Sequence, residues 1–350
     1  MNRAGLYIHF PFCRRACFYC HFFKKKFKPD PAGECLRHIE LEMGLRRDPG
    51  LAVDTVYIGG GSPSLLNPGQ VSGLLECAAK SFSVDGKSEI TMEANPEDLE
   101  ATPLRELRAA GVNRLSIGAQ SFQQRDLRYL RRTHDAARAI QAVDLARNAG
   151  FKNVSIDLII GLPTQTARSM ESNFRVIAAL KPSHVSVYIL EGVPRPEADA
   201  RDARLYHQAR RALAGLGFVH YEVSNFARPG RASRHNLKYW RMAPYVGLGP
   251  SAAGFLDGRD YRNVSDLRRY SEVLVRGRLP EARTRQLNAD RRRIVTGLRL
   301  LKGIPASAFS PFPDETSFLL REGFLARRGR NIAVPEEKIL LLNEILGYFI

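Results

Sequence analysis

The chain has 350 residues, 44% hydrophobic and 25% charged, with 28 glycines and 20 prolines, a balance that excludes disordered, collagen-like and disulfide-scaffold classes. Its 53 lysines and arginines against 36 acids give a formal charge of +17, which raises the prospect of nucleic acid. The basic residues are dispersed, however, without an aromatic-interleaved RNA motif, so nucleic acid is not the favoured partner and a solvated surface accounts for most of the charge.

No stretch approaches the ~20 apolar residues of a transmembrane segment. The N-terminus carries no secretory cleavage pattern, and the expected location is cytoplasmic. Short apolar runs rich in Val, Ile and Tyr recur at 5–10, 54–60, 88–95, 114–120, 153–161 and 184–192. Most end in Gly, Asn or Pro, as strands entering loops do. Segments between them, such as ECLRHIELEMGLRR and HDAARAIQAVDLARNAG, space apolar residues three and four apart and predict amphipathic helices. This alternation predicts a parallel α/β sheet covered by helices, and six units suit a partial (β/α)6 TIM-like barrel over residues 1–225. Residues 226–284 are expected to be a connecting region, with irregular Gly- and Pro-rich structure around the only tryptophan, Trp240. The final 285–350 segment orders helix, turn, short strand and helix, which predicts a small C-terminal α+β, winged-helix-like appendage.

In sheets of this kind the loops beyond the strand C-termini carry the chemistry. Here those loops hold the unusual residues. Three cysteines follow the first strand and GGGSPS the second; Glu93 and Asn95 end the third, Gln120 ends the fourth, and Asp157 lies in the fifth. Singly, each could be a turn glycine, a cap or a surface acid; their collection at one rim marks a site. Cys13, Cys17 and Cys20 form CxxxCxxC, which points to metal rather than disulfides. A structural zinc wants four closed ligands, and Cys35 and Cys77 supply no second pair. They are expected as buried thiols within helices. A cubane [4Fe-4S] cluster held by three thiolates instead leaves one iron open to another ligand.

Together, CxxxCxxC and the segment Gly59, Gly60, Gly61, Ser62, Pro63 resemble the radical S-adenosylmethionine (SAM) superfamily. That resemblance implies a cluster whose free iron takes the amino and carboxyl groups of SAM. Glycine, lacking Cβ, would let the backbone approach the methionine moiety. Nearly the whole chain further resembles the oxygen-independent coproporphyrinogen III dehydrogenase-like group, through LYIHFPFC, YIGGGSPSLL, EANPEDL, RLSIGAQSFQ, LRRTHD, DLIIGLPTQT, YEVSNFARPG, RHNLKYW and VGLGPSA. By position it implies Tyr7, Gly60, Gly61, Ser62, Glu93, Gln120, Arg132 and Asp157 around SAM. Carboxylates can accept from the amino group or ribose hydroxyls, and Arg132 can pair with a carboxylate.

The decarboxylating branch of that group resembles CxxxCxxCxC and has an extra N-terminal arm, whereas this chain has Phe22 and twelve residues before Cys13. It resembles instead the haem-chaperone branch, which shares an HNxxYW motif, here His235, Asn236, Leu237, Lys238, Tyr239, Trp240. The resemblance implies haem at His235, Asn236, Tyr239 and Trp240, with imidazole on iron, aromatic faces on the macrocycle, and Arg231, Arg234, Lys238 and Arg241 near propionates. One departure is Ala253 and Gly254, where the group usually shows a His-Ser pair. The implied function is transfer of haem to an acceptor haemoprotein, such as a respiratory one. The alternatives are a radical SAM oxidoreductase acting on a porphyrinogen and a radical SAM protein that modifies nucleic acid. The acceptor and the oligomeric state are not legible.

Overall fold

The computed structural model describes residues 3–191, 198–282, 286 and 288–350. Strand β1 (Ala4–Phe10) is buried at every position except Tyr7, which is half-buried. Its sequence, AGLYIHF, is apolar on both faces because the strand lies inside the sheet and is covered on each side. From β1 the sheet runs in parallel through β2 (Asp48–Gly60), β3 (Phe82–Ala94), β4 (Arg114–Gln120), β5 (Asn153–Ile160) and β6 (His184–Ile189). Register places apolar residues side by side: Leu6 opposite Val56, Val56 opposite Ile90, Met92 opposite Leu115, Ile117 opposite Ile156 and Ile156 opposite Val185. All six expected strands form; Gly192, the last residue of the sixth run, lies outside the described residues.

The crossovers are helical: α1 (Pro29–Leu45), α2 (Pro68–Ser81), α3 (Ala101–Ala109), then α4 (Gln124–Tyr129) with α5 (Ala136–Asn148), and α6 (Ala167–Leu180). Their starts are written locally. Asn67 with Gln70, and Thr166 with Ser169, form reciprocal capping boxes, and Asp135 accepts from the Arg138 amide. As expected, Cys35 and Cys77 sit within helices; Cys35 is buried and Cys77 partly so.

After α7 (Ala198–Gly215), β7 (Val219–Glu222) and β8 (Asn225–Ala227) add an antiparallel hairpin to β6. Helix α8 (Arg234–Trp240) follows. Then β9 (Tyr245–Leu248) pairs in parallel with the free side of β1, and β10 (Ala253–Leu256), β11 (Arg259–Asn263) and β12 (Glu281–Ala282) extend that edge antiparallel. The stretch read as irregular therefore contributes two helices and several short strands to the sheet edges. Its strands are two to five residues long and several are broken by glycine, and β9 finds its partner more than 230 residues away, beyond the reach of local periodicity. Helix α9 (Leu267–Val275) locks this edge to α1 through buried Glu42, which accepts from Tyr270 Oη at 2.6 Å, Asn263 Nδ2 at 2.8 Å and the Gly249 amide at 2.8 Å.

The remaining chain runs helix, strand, helix and hairpin: α10 (Ala289–Gly297), β13 (Ile304–Pro305), α11 (Pro313–Arg321), β14 (Ala326–Arg328) and β15 (Asn331–Ala333), closing with α12 (Leu342–Gly347). That is the order of a winged helix. Its buried Ile294, Leu298, Phe309 and Leu346 belong to the same apolar core as the sheet. No helix among the described residues is long and apolar enough to cross a membrane.

Helix α8 closes the N-terminal end of the barrel. Arg234 donates to the Lys87 carbonyl at 3.1 Å and pairs with Asp54, while Lys238 pairs with Asp54 and donates to the Arg3 carbonyl at 2.7 Å. These cations, expected near propionates, are thus engaged at the strand starts. His235 is fully buried. Its Nδ1 lies 2.9 Å from Thr55 Oγ1, its Nε2 lies 2.9 Å from Tyr239 Oη, and its ring stacks on Tyr57 at 5.2 Å. Gly5 makes room for it: a Cβ there would stand 2.8 Å from Thr55 Oγ1 and 3.0 Å from His235 Cε1. Burial, then the charges of Lys238 and Arg114, lower the imidazole to about 3, so it is neutral in the fold. Replacing His235 with Ala leaves a void and two buried hydroxyls short of a partner. The expected loss is about 2–4 kcal/mol, measured by denaturant unfolding; an unchanged midpoint would remove α8 from the set of structural supports.

Candidate functional site

At the opposite, C-terminal mouth of the strands lies a cavity of about 610 Å³, within the usual range for a bound small molecule. Cys13, Cys17 and Cys20 line it with Gly60, Gly61, Ser62, Glu93, Gln120, Arg132 and Asp157. Ten residues named from the sequence therefore meet on one wall. Tyr7 and the quartet His235, Asn236, Tyr239 and Trp240 are not among the lining residues. Tyr7 directs its hydroxyl to His9 Nδ1 at 2.9 Å, and its ring lies beside the stacked Tyr57 and His235 rings, at 6.2 and 6.4 Å. With both ring nitrogens bonded, His235 has none free for iron in this conformation.

The cysteine loop is fixed at its base by a short parallel bridge between Phe12–Cys13 and Lys25–Lys26. The Lys25 amide donates to the Pro11 carbonyl at 2.7 Å and the Phe27 amide to the Cys13 carbonyl at 2.8 Å. Arg14 ties the loop outward to Asp98 at 2.9 Å, and Arg132 Nη1 donates to Cys17 Sγ at 3.6 Å. Burial raises the Cys13 thiol; the Ser62 hydroxyl opposes this, and the neighbouring Cys20 and Cys17 add to it. A Cys13 thiol whose ionisation its surroundings disfavour suits a bound cationic group, which would relieve that penalty. Among the described residues no three His, Cys, Asp or Glu side chains close on a single-ion position. A cubane spreads its thiolates over separate iron corners, so the donor set fits a [4Fe-4S] cluster better than one zinc.

The glycine turn has a reason the sequence did not reveal. Gly60 has φ +106°, and a Cβ there would fall 2.4 Å from the His9 ring; one on Gly61 would fall 2.6 Å from the Phe12 carbonyl oxygen. The Gly61 and Ser62 amides donate to the Phe10 and Phe12 carbonyls, both at 2.8 Å. The glycines are thus required by contact with the cysteine loop itself.

Around this turn the polar groups form one network. Asn95 donates from Nδ2 to Ser62 Oγ at 2.9 Å and accepts at Oδ1 from Arg132 Nη2 at 2.7 Å. Arg132 also lies 3.8 Å from Glu97. Burial alone would raise the Glu97 carboxyl, but His134, Arg132 and Thr133 hold it at about 2. Arg132 Nε is buried without a hydrogen-bond partner, close to the Tyr19 side chain. Asp157 accepts from Ser116 Oγ at 3.0 Å and from Ser155 Oγ at 3.3 Å. Burial raises its carboxyl too. Gln120 holds φ at 65°, a left-handed conformation uncommon outside glycine, where β4 ends at the cavity.

Asn95, noted in the sequence only as a strand end, is the bridge between the serine and the guanidinium. Tyr57 was missed altogether: its hydroxyl donates to Glu93 Oε1 at 2.8 Å while its ring faces His235. Nothing in a strand tyrosine's neighbours distinguishes it from core packing.

Glu93 also accepts from the Gly60 amide at 2.9 Å. Burial raises its carboxyl from 4.5 to about 7, against the bonds from Tyr57 and Gly60 and with help from Asp157. The folded state therefore binds a proton at a pH where the unfolded state has lost it. The contribution of Glu93 to stability is full below about pH 4.5 and is lost as pH rises through about 7. Glu222, also raised to about 7 by burial, acts in the same direction. In the cofactor-free protein, Glu93→Gln is expected to be more stable than wild type above pH 7 and to show a shallower fall across this window. Denaturant midpoints against pH provide the measurement, and identical curves would refute the assignment.

The radical SAM superfamily model matches residues 7–177. The heme chaperone HemW of Bacillus subtilis (strain 168) is 30% identical, covering 98% of this chain and 98% of that one. The protein of the same name from Escherichia coli (strain K12) is 32% identical over 99% of this chain and 98% of its own. The solved structure of coproporphyrinogen III oxidase (HemN) from Escherichia coli, a radical SAM enzyme, superposes with a TM-score of 0.84 at 25% identity, covering 99% of this chain and 90% of that one. With the cysteine loop, the glycine turn and likeness along its full length, the chain belongs to the HemW family of the radical SAM superfamily.

Proposed function

We propose that the protein is a haem chaperone that binds a [4Fe-4S] cluster through Cys13, Cys17 and Cys20, holds SAM beside it, and passes haem to an acceptor haemoprotein in the cytoplasm. The observation that carries this reading is the opening of three thiols onto one cavity with Glu93, Asp157 and Arg132. When bound, such a cluster offers one iron without a protein ligand and can deliver an electron to a ligand there.

The chain's own groups then have distinct tasks. Arg132 meets a carboxylate. Glu93, whose proton is balanced near neutrality, accepts from an ammonium group. Asp157, held by Ser116 and Ser155, faces hydroxyls. Asn95 keeps Arg132 and Ser62 in register. The buried walls Ile159 and Val187 exclude water from this half of the cavity.

A second reading, oxidoreduction of a porphyrinogen, is supported by the close superposition on coproporphyrinogen III oxidase. An anaerobic assay with reductant separates the two. Haem retention and transfer without consumption of coproporphyrinogen supports the chaperone; 5′-deoxyadenosine appearing in step with porphyrinogen loss supports the enzyme.

The cluster is tested directly. Anaerobically purified wild type is expected to carry about four irons and matching sulfide per chain. Replacing Cys13, Cys17 and Cys20 by Ser should abolish both, with the fold retained by circular dichroism. Iron retained by the triple variant would end the proposal.

A further inference from the structure

The cavity extends beyond the polar wall. Its lining continues through Ile189 and Val223 from the barrel side and Ile339, Leu340 and Leu342 from the C-terminal side, a far lobe largely apolar but for Ser224 and Asn343. Into this apolar lobe comes a cation, Arg299. Its backbone is clamped to the β7–β8 hairpin: the Val223 amide donates to the Arg299 carbonyl at 3.1 Å, and the Leu301 amide to the Tyr221 carbonyl at 3.2 Å.

The guanidinium lies over the Trp240 ring at 5.2 Å, so its plane has a backing. Among the described residues no carboxylate stands within ion-pair distance of it. Glu222 is near enough to be felt electrostatically, but its carboxylate accepts from Asn225 Nδ2 and the Ser224 amide. Glu191 is felt too, from an exposed position at the cavity edge. Burial lowers the guanidinium below its ordinary value, and the charges of Glu222 and Glu191 offset only part of that. A half-buried cation without a paired anion is costly, and a carboxylate brought by a ligand would offset that cost with charge-assisted hydrogen bonds.

We infer that this lobe seats an apolar, carboxylate-bearing ligand, with Arg299 as the partner of its carboxylate. The inference rests on the haem reading, since haem is an apolar body with propionate groups. It places the cargo in the barrel mouth, near the C-terminal segment, rather than on the imidazole of His235. Trp240 then serves the site from behind, as the surface that orients Arg299.

The test is absorption titration of the anaerobically purified, cluster-loaded full chain with haem and with haem dimethyl ester, which lacks the free carboxylates. Wild type should bind haem roughly tenfold or more tighter than the ester. Arg299→Leu should lose that advantage and leave ester affinity unchanged, while Arg299→Lys keeps most of it. His235→Ala, where circular dichroism shows it folded, should bind haem as wild type does. Equal binding of haem and ester by wild type would overturn the inference without needing a variant. So would undiminished haem affinity in Arg299→Leu, a matching loss of both ligands in that variant, or loss of haem binding by folded His235→Ala. Should wild type bind neither compound, the haem reading itself fails; haem bound equally by wild type and Arg299→Leu sinks only the lobe.

Discussion

Two backbone hydrogen bonds, from the Gly61 and Ser62 amides to the carbonyls of Phe10 and Phe12, govern the rest of the site. They join the turn after β2 to the loop after β1, so the thiols and the polar wall become parts of one surface. Bonds of this kind need the chains to approach without side chains between them, which is why the turn is glycine at Gly60 and Gly61. Parallel pairing of β1 and β2 sets the approach, because it delivers both strand ends to the same mouth.

From that junction the polar network extends outward without a break. Ser62 is held by Asn95, Asn95 by Arg132, and Arg132 reaches both Cys17 and Glu97. A displacement of the cysteine loop would therefore be felt at the third strand and at the segment after α4. The carboxylates show the balance of forces here. Glu97, with three donors, stays ionised, whereas Glu93, with two and a deeper setting, is poised near neutrality. Proximity in sequence gives the pair no common fate; the number of donors and the exclusion of water decide it.

The two ends of the barrel are connected by aromatic side chains. Tyr57 touches Glu93 with its hydroxyl and His235 with its ring, and Trp240 at the end of α8 backs Arg299 at the mouth. The HNxxYW segment is thus a floor and a buttress: His235 and Lys238 seal the strand starts, while Trp240 reaches the cavity's far lobe through a cation.

Six strands, their helices, the cysteine spacing and the gathering of Glu93, Asn95, Gln120 and Asp157 at one rim could be read from the residues alone, whereas Arg132 came only with the family resemblance. Local periodicity reports burial within a few residues, and in a parallel sheet every strand end must fall on the same side. The placement of Tyr7 and His235 away from the cavity, the insertion of β9 beside β1, the bridging by Asn95 and the arrival of Arg299 in an apolar lobe were decided only by tertiary contact. Each depends on partners distant in sequence whose approach leaves no local pattern: Thr55 for His235, Gly5 and its neighbours for β9, Trp240 for Arg299. Residue type supplied the chemistry available to the chain; which groups were spent on packing and which were left facing the cavity was settled by how the sheet closed.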